Sequence, residues 1–378
     1  MPVKTVLLTN HFLQNFTGSE LALYDLAREF LDLNFEVYVA AFQYADPLKS
    51  FIDELDVHVL DMNKPLNKTF DVLWAQHFTT ADACLADGKV KANTIVFSSL
   101  SPYMPIESPP LYVNDLSVIL ANSKENGACL LEMGIPKEKI AVFPNPVRRE
   151  FFEKKRTEYS PILKRLAVVS NHIPDEVWHA VHSLRKRHVA VDVYGAEAKA
   201  VYITPEVLSR YDAVVSIGRT VQYCLVMGIP VYCYDHFGGP GYVDMHNKEK
   251  AAEFNFSGRC TNVKKSAEII VDELTGMYKA VLAVQEPLTI YALENYNLSS
   301  HVQNVIGKKY DGLPPLEGAE LAELFYRIHF RQIGYVKETE KKYNDLLASA
   351  SWKVTVPLRR MKEIVSAKIR QFLRYREG

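Results

Sequence analysis

Residues 117–147 read SVILANSKENGACLLEMGIPKEKIAVFPNPV, and the parsing of the whole chain follows from them. Two short apolar runs, Ser117–Ser123 and Ile140–Phe143, have the length and composition of strands. The second ends at Pro144-Asn145-Pro146, and the charged stretch Arg148–Glu158 that follows reads as an inter-domain linker. Upstream, Lys4–Asn10, Phe35–Phe42, Asp71–Phe78 and Thr94–Leu100 read as strands. After the first of them Thr17-Gly18-Ser19-Glu20 opens a helix: Thr17 and Glu20 have capping-box spacing, and Leu23, Leu26, Ala27, Phe30 and Leu31 share one face. Downstream the alternation restarts. Leu166–Ser170 is a strand, Pro174–Arg187 a helix, and Val191–Tyr194 a strand ending at Gly195. Thr204-Pro205-Glu206 carries helix-start signals. Ala213–Ile217 is a strand, Thr220–Met227 a helix stopped by Gly228, and Val231–Tyr234 a strand. Alternation of this kind predicts parallel sheets with crossover helices. The expected fold class is α/β, with two Rossmann-like, doubly wound domains, over 1–148 and 161–300. A linker at 149–160 joins them, and a helical extension occupies 301–378.

The length of 378 residues fits two domains and an appendage. Lys plus Arg number 44 and Asp plus Glu 45, which excludes a generally basic nucleic-acid binder. A hydrophobic content of 48% excludes a mostly disordered chain. The five cysteines are scattered and form no CxxC pair, so neither a disulfide framework nor a zinc site is expected. No apolar run reaches the roughly 18–20 residues that span a bilayer. The early Lys4 and short Val6-Leu7-Leu8 run do not make a signal peptide, so a cytoplasmic location is expected. Charge is uneven, however. From Trp352 to Gly378 eight Lys and Arg stand against Glu363 and Glu377, and Leu358, Met361, Val365, Ile369, Phe372 and Leu373 recur at helical spacing. This basic amphipathic stripe over 352–378 suits an anionic membrane surface; packing on the protein's own domains or on a second copy, giving a homo-oligomer, is the competing use.

No G-x-G-x-x-G follows the first strand, and no P-loop motif exists, so a nicotinamide fingerprint and a nucleoside-triphosphate loop are both excluded. Three glycine-bearing junctions remain. Gly18 lies in the first. Gly218-Arg219-Thr220 joins a strand directly to a helix, where amides, hydroxyl and guanidinium together suit a diphosphate. The third, Asp235 to Tyr242, holds Gly238, Gly239 and Gly241 and reads as a loop bordering a ligand. Each glycine could equally serve an ordinary turn.

The order and wording of these segments resemble the GT-B glycosyltransferases, particularly the large retaining family four of bacterial polysaccharide enzymes. The passages 118–123 and 133–147, the Thr17–Glu20 loop, Gly228-Ile229-Pro230-Val231, and 232–242 with Asn255-Phe256-Ser257-Gly258-Arg259 carry the resemblance, over roughly residues 4–300. It implies a nucleotide-sugar donor as co-substrate, no other cofactor, and a glycan or lipid-linked glycan as acceptor. The sequence departs from the family where its two donor-site glutamates stand, at Val215 and Tyr223, and where its Arg/Lys pair stands, at Asn171 and His172. Donor contacts are therefore expected from Gly18, Asn171, His172, Gly195, Gly218, Arg219, Thr220, Gly238, Gly239, Gly241 and Tyr242, with Arg219 as the cation facing the diphosphate. No Asp-x-Asp motif occurs, so a metal is not expected. Candidates for the general base are His77, Glu20 and Asp235, with His11 nearby; Glu20 and Asp235 could equally cap local turns, and His77 could be a satisfied buried histidine.

The leading expectation is a glycosyltransferase extending a bacterial surface glycan. The alternative is a catalytically inactive GT-B-like protein that binds glycans or partners, motivated by the missing glutamates and cations. A GT-B-like epimerase or phosphorylase is a third reading.

Overall fold

In the computed structural model, residues 3–85, 90–110, 112–195 and 201–310 are described, together with positions 341, 342, 345 and 349. The basic amphipathic stretch 352–378 lies outside the described residues, as does most of the extension before it.

The first half is built on seven strands: β1 (Thr5–Leu13), β2 (Glu36–Tyr44), β3 (Val57–Asp61), β4 (Lys68–Gln76), β5 (Val90–Ser99), β6 (Val118–Ala121) and β7 (Ile140–Val142). Their order is β3-β2-β1-β4-β5-β6-β7 and every pairing is parallel. Val6, Leu7 and Leu8 of β1 are wholly buried, because a central parallel strand has helices on both faces. The edge strand β3 was not legible as a strand. Its residues are half-buried or exposed, so no apolar run marks it.

The second half carries β8 (Arg165–Val169), β9 (Ala190–Tyr194), β10 (Ala213–Ser216), β11 (Val231–Asp235) and β12 (Gly238–Tyr242), in the order β12-β11-β10-β8-β9. All pairings are parallel except β11 with β12. Gly228 ends the Arg219–Met227 helix in the left-handed conformation, and Thr204 caps the next-earlier helix through its side chain, both as their residue types require. Both halves belong to one compact unit.

The chain crosses between the halves twice, and the crossings bond to each other. Val147 donates its N–H to the Tyr296 carbonyl at 2.6 Å and accepts from Leu298 at 3.0 Å. Residues Leu298–Gly307 then form a helix that returns to the first half: Leu298, Val302 and Val305 join the core of Leu8, Phe30 and Trp74. A domain boundary at residue 300 therefore falls inside an element of the first half's core. The expected linker is likewise structured, since Arg149–Glu153 is helical and Phe151 stacks on Tyr223 with centroids 4.1 Å apart. Among the described residues no helix is long and apolar enough to cross a membrane.

Residues 238–242, expected as a ligand-bordering loop, instead form strand β12, paired antiparallel to β11. Glycine is needed there because two backbones press together. A Cβ on Gly239 would lie 2.2 Å from the Cys233 carbonyl oxygen, and one on Gly238 2.0 Å from that of Val263. Tyr242 is buried, and its hydroxyl donates to the Leu274 carbonyl at 3.0 Å. Gly239→Val should therefore cost about 3 kcal/mol or more of stability, measured as a shift in the urea unfolding midpoint at unchanged slope.

Candidate functional site

In an open α/β sheet the ligand crevice forms outside the carboxyl ends of the strands, where the strand order reverses. In the second half the reversal is at β8, flanked by β9 and β10. The chain leaves these strands through Ser170-Asn171-His172, Gly195 and Ile217-Gly218, and β11 ends at Asp235-His236. All of these except Gly218 line a cavity of about 360 Å³, to which the first half adds Phe16, Gly18 and Leu21. The cavity thus collects Gly18, Asn171, His172, Gly195, Arg219 and Thr220 from the residues expected at a donor site, and Asp235 from the expected bases. The Arg219–Met227 helix begins at its wall after Gly218, which has φ +56°, and Arg219 and Thr220 of its first, positive turn line the space. Gly195 is glycine for a local reason: a Cβ there would lie 1.8 Å from the Ser170 carbonyl oxygen.

The reversal in the first half is at β1, between β2 and β4. Here a cavity of about 410 Å³ is lined by Phe12, Thr17, Ser19, His77, Glu107, Asn122 and others, with Gly218 and Asn255 from the second half. Gly18 and Arg219 line both cavities, so the two switch-point crevices adjoin at these residues.

His77 sits just past β4, buried, with φ +68°, the left-handed region that few residues besides Gly, Asn, Asp and His enter. Its Nδ1 accepts the His11 backbone N–H at 3.3 Å, and its Nε2 lies 3.3 Å from Oε1 of Glu107. Glu107 is also buried; Oε2 accepts the Leu100 N–H at 3.0 Å, and the Glu107 carbonyl accepts the Ser99 hydroxyl at 2.9 Å. Burial and the adjacent His77 both hold the His11 imidazole below the ordinary histidine range. Sequence reasoning missed Glu107. The available signal was a lone acid in the apolar, proline-rich run Ser101–Pro110.

The other expected bases have different work. Glu20 is buried and accepts N–H groups from Gln14 at 2.6 Å and Asn15 at 2.8 Å, plus the Thr17 hydroxyl. It organises the loop before its helix, while the Thr17 side chain makes no bond to the helix amides. Asp235 accepts from Phe237 N–H at 2.8 Å, Ser257 Oγ at 2.7 Å and Gly258 N–H at 3.0 Å, so it ties the turn after β11 to residues 257–258.

Arg219 also departs from expectation. Its Nη1 is held by Asp25 of the first half's Gly18–Asp32 helix and lies 3.2 Å from the Tyr223 hydroxyl. The guanidinium is therefore already neutralised. Burial raises the Asp25 carboxyl above its usual range, against the pull of Arg219. Further pairs join the halves: Arg259 grips Glu125 through two bonds of 2.9 and 2.8 Å, and Asn145 donates to Asn255 at 2.8 Å.

No family model matches the sequence, and no curated protein matches it. Solved structures do match. HepE from Anabaena, crystallised with UDP-glucose, superposes with a TM-score of 0.55 at 13% identity, covering 80% of this chain and 98% of that one. The chain has the GT-B fold. A glycosyltransferase from Rickettsia africae gives a TM-score of 0.53 at 12% identity, covering 82% of this chain and all of that one. A TarM variant from S. aureus, in complex with fondaparinux, α-GlcNAc-glycerol and UDP, gives 0.55 at 9% identity, covering 81% and 100%.

The Asp25–Arg219 pair yields a direct test. Asp25→Ala strands a buried guanidinium and should cost about 3–5 kcal/mol. The double change Asp25→Ala/Arg219→Ala should cost less than the sum of the two single changes, measured by chemical unfolding.

Proposed function

We propose that the protein is a glycosyltransferase that moves a sugar from a nucleotide-sugar donor to a growing surface glycan or its lipid-linked precursor. One observation carries the reading: two switch-point crevices, one on each half of a GT-B fold, adjoin at Gly18 and Arg219. The crevice at β8 and β10 holds the donor. Its diphosphate lies at the Gly218–Thr220 helix start, where amides and helix dipole stabilise the negative charge that develops on the leaving group. The acceptor occupies the crevice at β1 and β4. That HepE and TarM are held with UDP or UDP-glucose supports a uridine donor as the first to test. Charge neutralisation in this reading falls to the helix end, without a metal.

A second reading, a GT-B-like protein that binds glycans without turnover, is favoured by the charge of the donor crevice. Arg219 is the single Lys or Arg among its described lining residues, and Asp25 already neutralises it. Calorimetric titration with UDP, followed by a donor panel assayed for UDP release, separates the two. The transferase reading expects binding and turnover; binding alone supports the second.

Gly18 offers a sharper probe, because a Cβ built there meets nothing within 4 Å. Gly18→Leu should fill the shared wall of both crevices, leave the melting temperature unchanged, and weaken UDP binding at least about tenfold, or 1.4 kcal/mol. A peripheral position at the cytoplasmic face of a membrane, through residues 352–378, belongs to the same proposal. Full-length protein should co-sediment with anionic liposomes at low salt and lose this on deletion of 352–378.

A further inference from the structure

We propose that Glu107 is the general base of this transferase and that His77, the more obvious candidate, is the residue that positions it. The inference rests on the transferase reading. His77 cannot serve as the base in the arrangement seen. An N–H donor needs a lone pair, so the His11 backbone N–H at 3.3 Å requires His77 Nδ1 to be unprotonated. In the neutral ring the proton is then on Nε2, which faces Glu107 Oε1 at 3.3 Å. Both ring nitrogens are thereby engaged, and the imidazole has no lone pair left for the cavity.

Glu107 does have one. An ionised carboxylate offers about four acceptor sites, and among the described residues two donors reach this one, His77 Nε2 and the Leu100 N–H. Glu20 and Asp235, by contrast, each serve three donors, Glu20 within its own loop and Asp235 at Phe237, Ser257 and Gly258. Glu107 and His77 both line the first-half crevice, whose second-half wall is Gly218, Arg219 and Asn255. The carboxylate is also preorganised. Leu100 and His77 hold its two oxygens, and Ser99 holds its carbonyl. The left-handed backbone of His77 sets the ring between His11 and Glu107.

The step balances as follows. The acceptor hydroxyl gives its proton to the free lone pair of Glu107, and the hydroxyl oxygen forms a bond to the anomeric carbon. The bond from that carbon to the phosphate oxygen breaks, and its electron pair leaves with the nucleoside diphosphate towards the Gly218–Thr220 helix start. Attack from the face opposite the leaving group inverts the anomeric configuration, an outcome opposite to that of the retaining family the sequence resembles, whose two donor-site glutamates are here Val215 and Tyr223.

The test uses the full chain with UDP-glucose, UDP-galactose, UDP-N-acetylglucosamine and UDP-glucuronate, and with water as the acceptor. Proton NMR follows the first anomer released. These donors are α-linked, so the β-sugar should appear first. Glu107→Gln should lower kcat by at least about 100-fold while donor KM and UDP affinity stay within about twofold of wild type; its NH2 must face either the His77 Nε2–H or the Leu100 N–H, so the melting temperature should fall by several degrees as well. Glu107→Asp, which keeps the carboxylate one methylene short, should recover part of the rate. His77→Asn suits the left-handed backbone and can still accept the His11 N–H, but is too short to reach Glu107. It should lower kcat about tenfold with KM unchanged, whereas a merely structural role would lower melting temperature and UDP affinity instead. Wild-type turnover in Glu107→Gln, or first release of the α-sugar, overturns the base and leaves the transferase reading standing. A wild-type chain that binds UDP and cleaves no donor of the panel overturns the transferase reading and the base with it.

Discussion

The buried pair of Asp25 and Arg219 is the contact on which the site depends. Two charges withdrawn from water are tolerable only in each other's company, so the pair constrains how the halves meet. Asp25 lies on the Gly18–Asp32 helix, and Arg219 is the first residue of the Arg219–Met227 helix. Holding them together sets the start of the second helix against the middle of the first, about two turns from Gly18. Gly18 and Arg219 form the shared wall of the two crevices. The same face of the first helix makes the other bridges. Arg28 binds Glu150 at 2.7 and 3.0 Å, and Asp32 accepts from Arg148 at 2.8 Å. Positions 25, 28 and 32 follow helical spacing on the side opposite Leu23, Leu26, Ala27 and Phe30, which fill the core.

Backbone accounting explains the buried acids around the crevices. Chains leaving parallel strands expose N–H groups that no ladder satisfies, and a buried N–H without a partner is costly. Glu20 serves Gln14 and Asn15, Asp235 serves Phe237 and Gly258, and Glu107 serves Leu100. Each carboxylate thereby stiffens the loop that shapes a cavity wall. What separates Glu107 is its second partner, an imidazole that itself lines the cavity.

Much of this was legible before any coordinates. The buried strands β1, β4, β8, β10 and β11 announce themselves as short apolar runs, because both of their faces are covered. Gly228 and Thr204 mark helix ends through chemistry that needs only neighbouring residues. Strand β12 was not legible, since its glycines read as a loop until the Cys233 and Val263 carbonyls are seen against them. Nor was the return of Leu298–Gly307 to the first core, where the apolar spacing is plain but the destination is not.

The sequence by itself determined the two α/β halves, the helix starts and stops, and the set of loops at the strands' carboxyl ends, because periodicity, caps and turn residues act over a few positions. Tertiary structure alone decided what those loops can do. Arg219 reads as a free cation until Asp25, 194 positions away, is seen to hold it. His77 reads as a base until the His11 amide, 66 positions away, is found on its Nδ1. A side chain's charge, tautomer and spare lone pairs are set by what lies within hydrogen-bond distance in space, and that distance is a property of the folded chain.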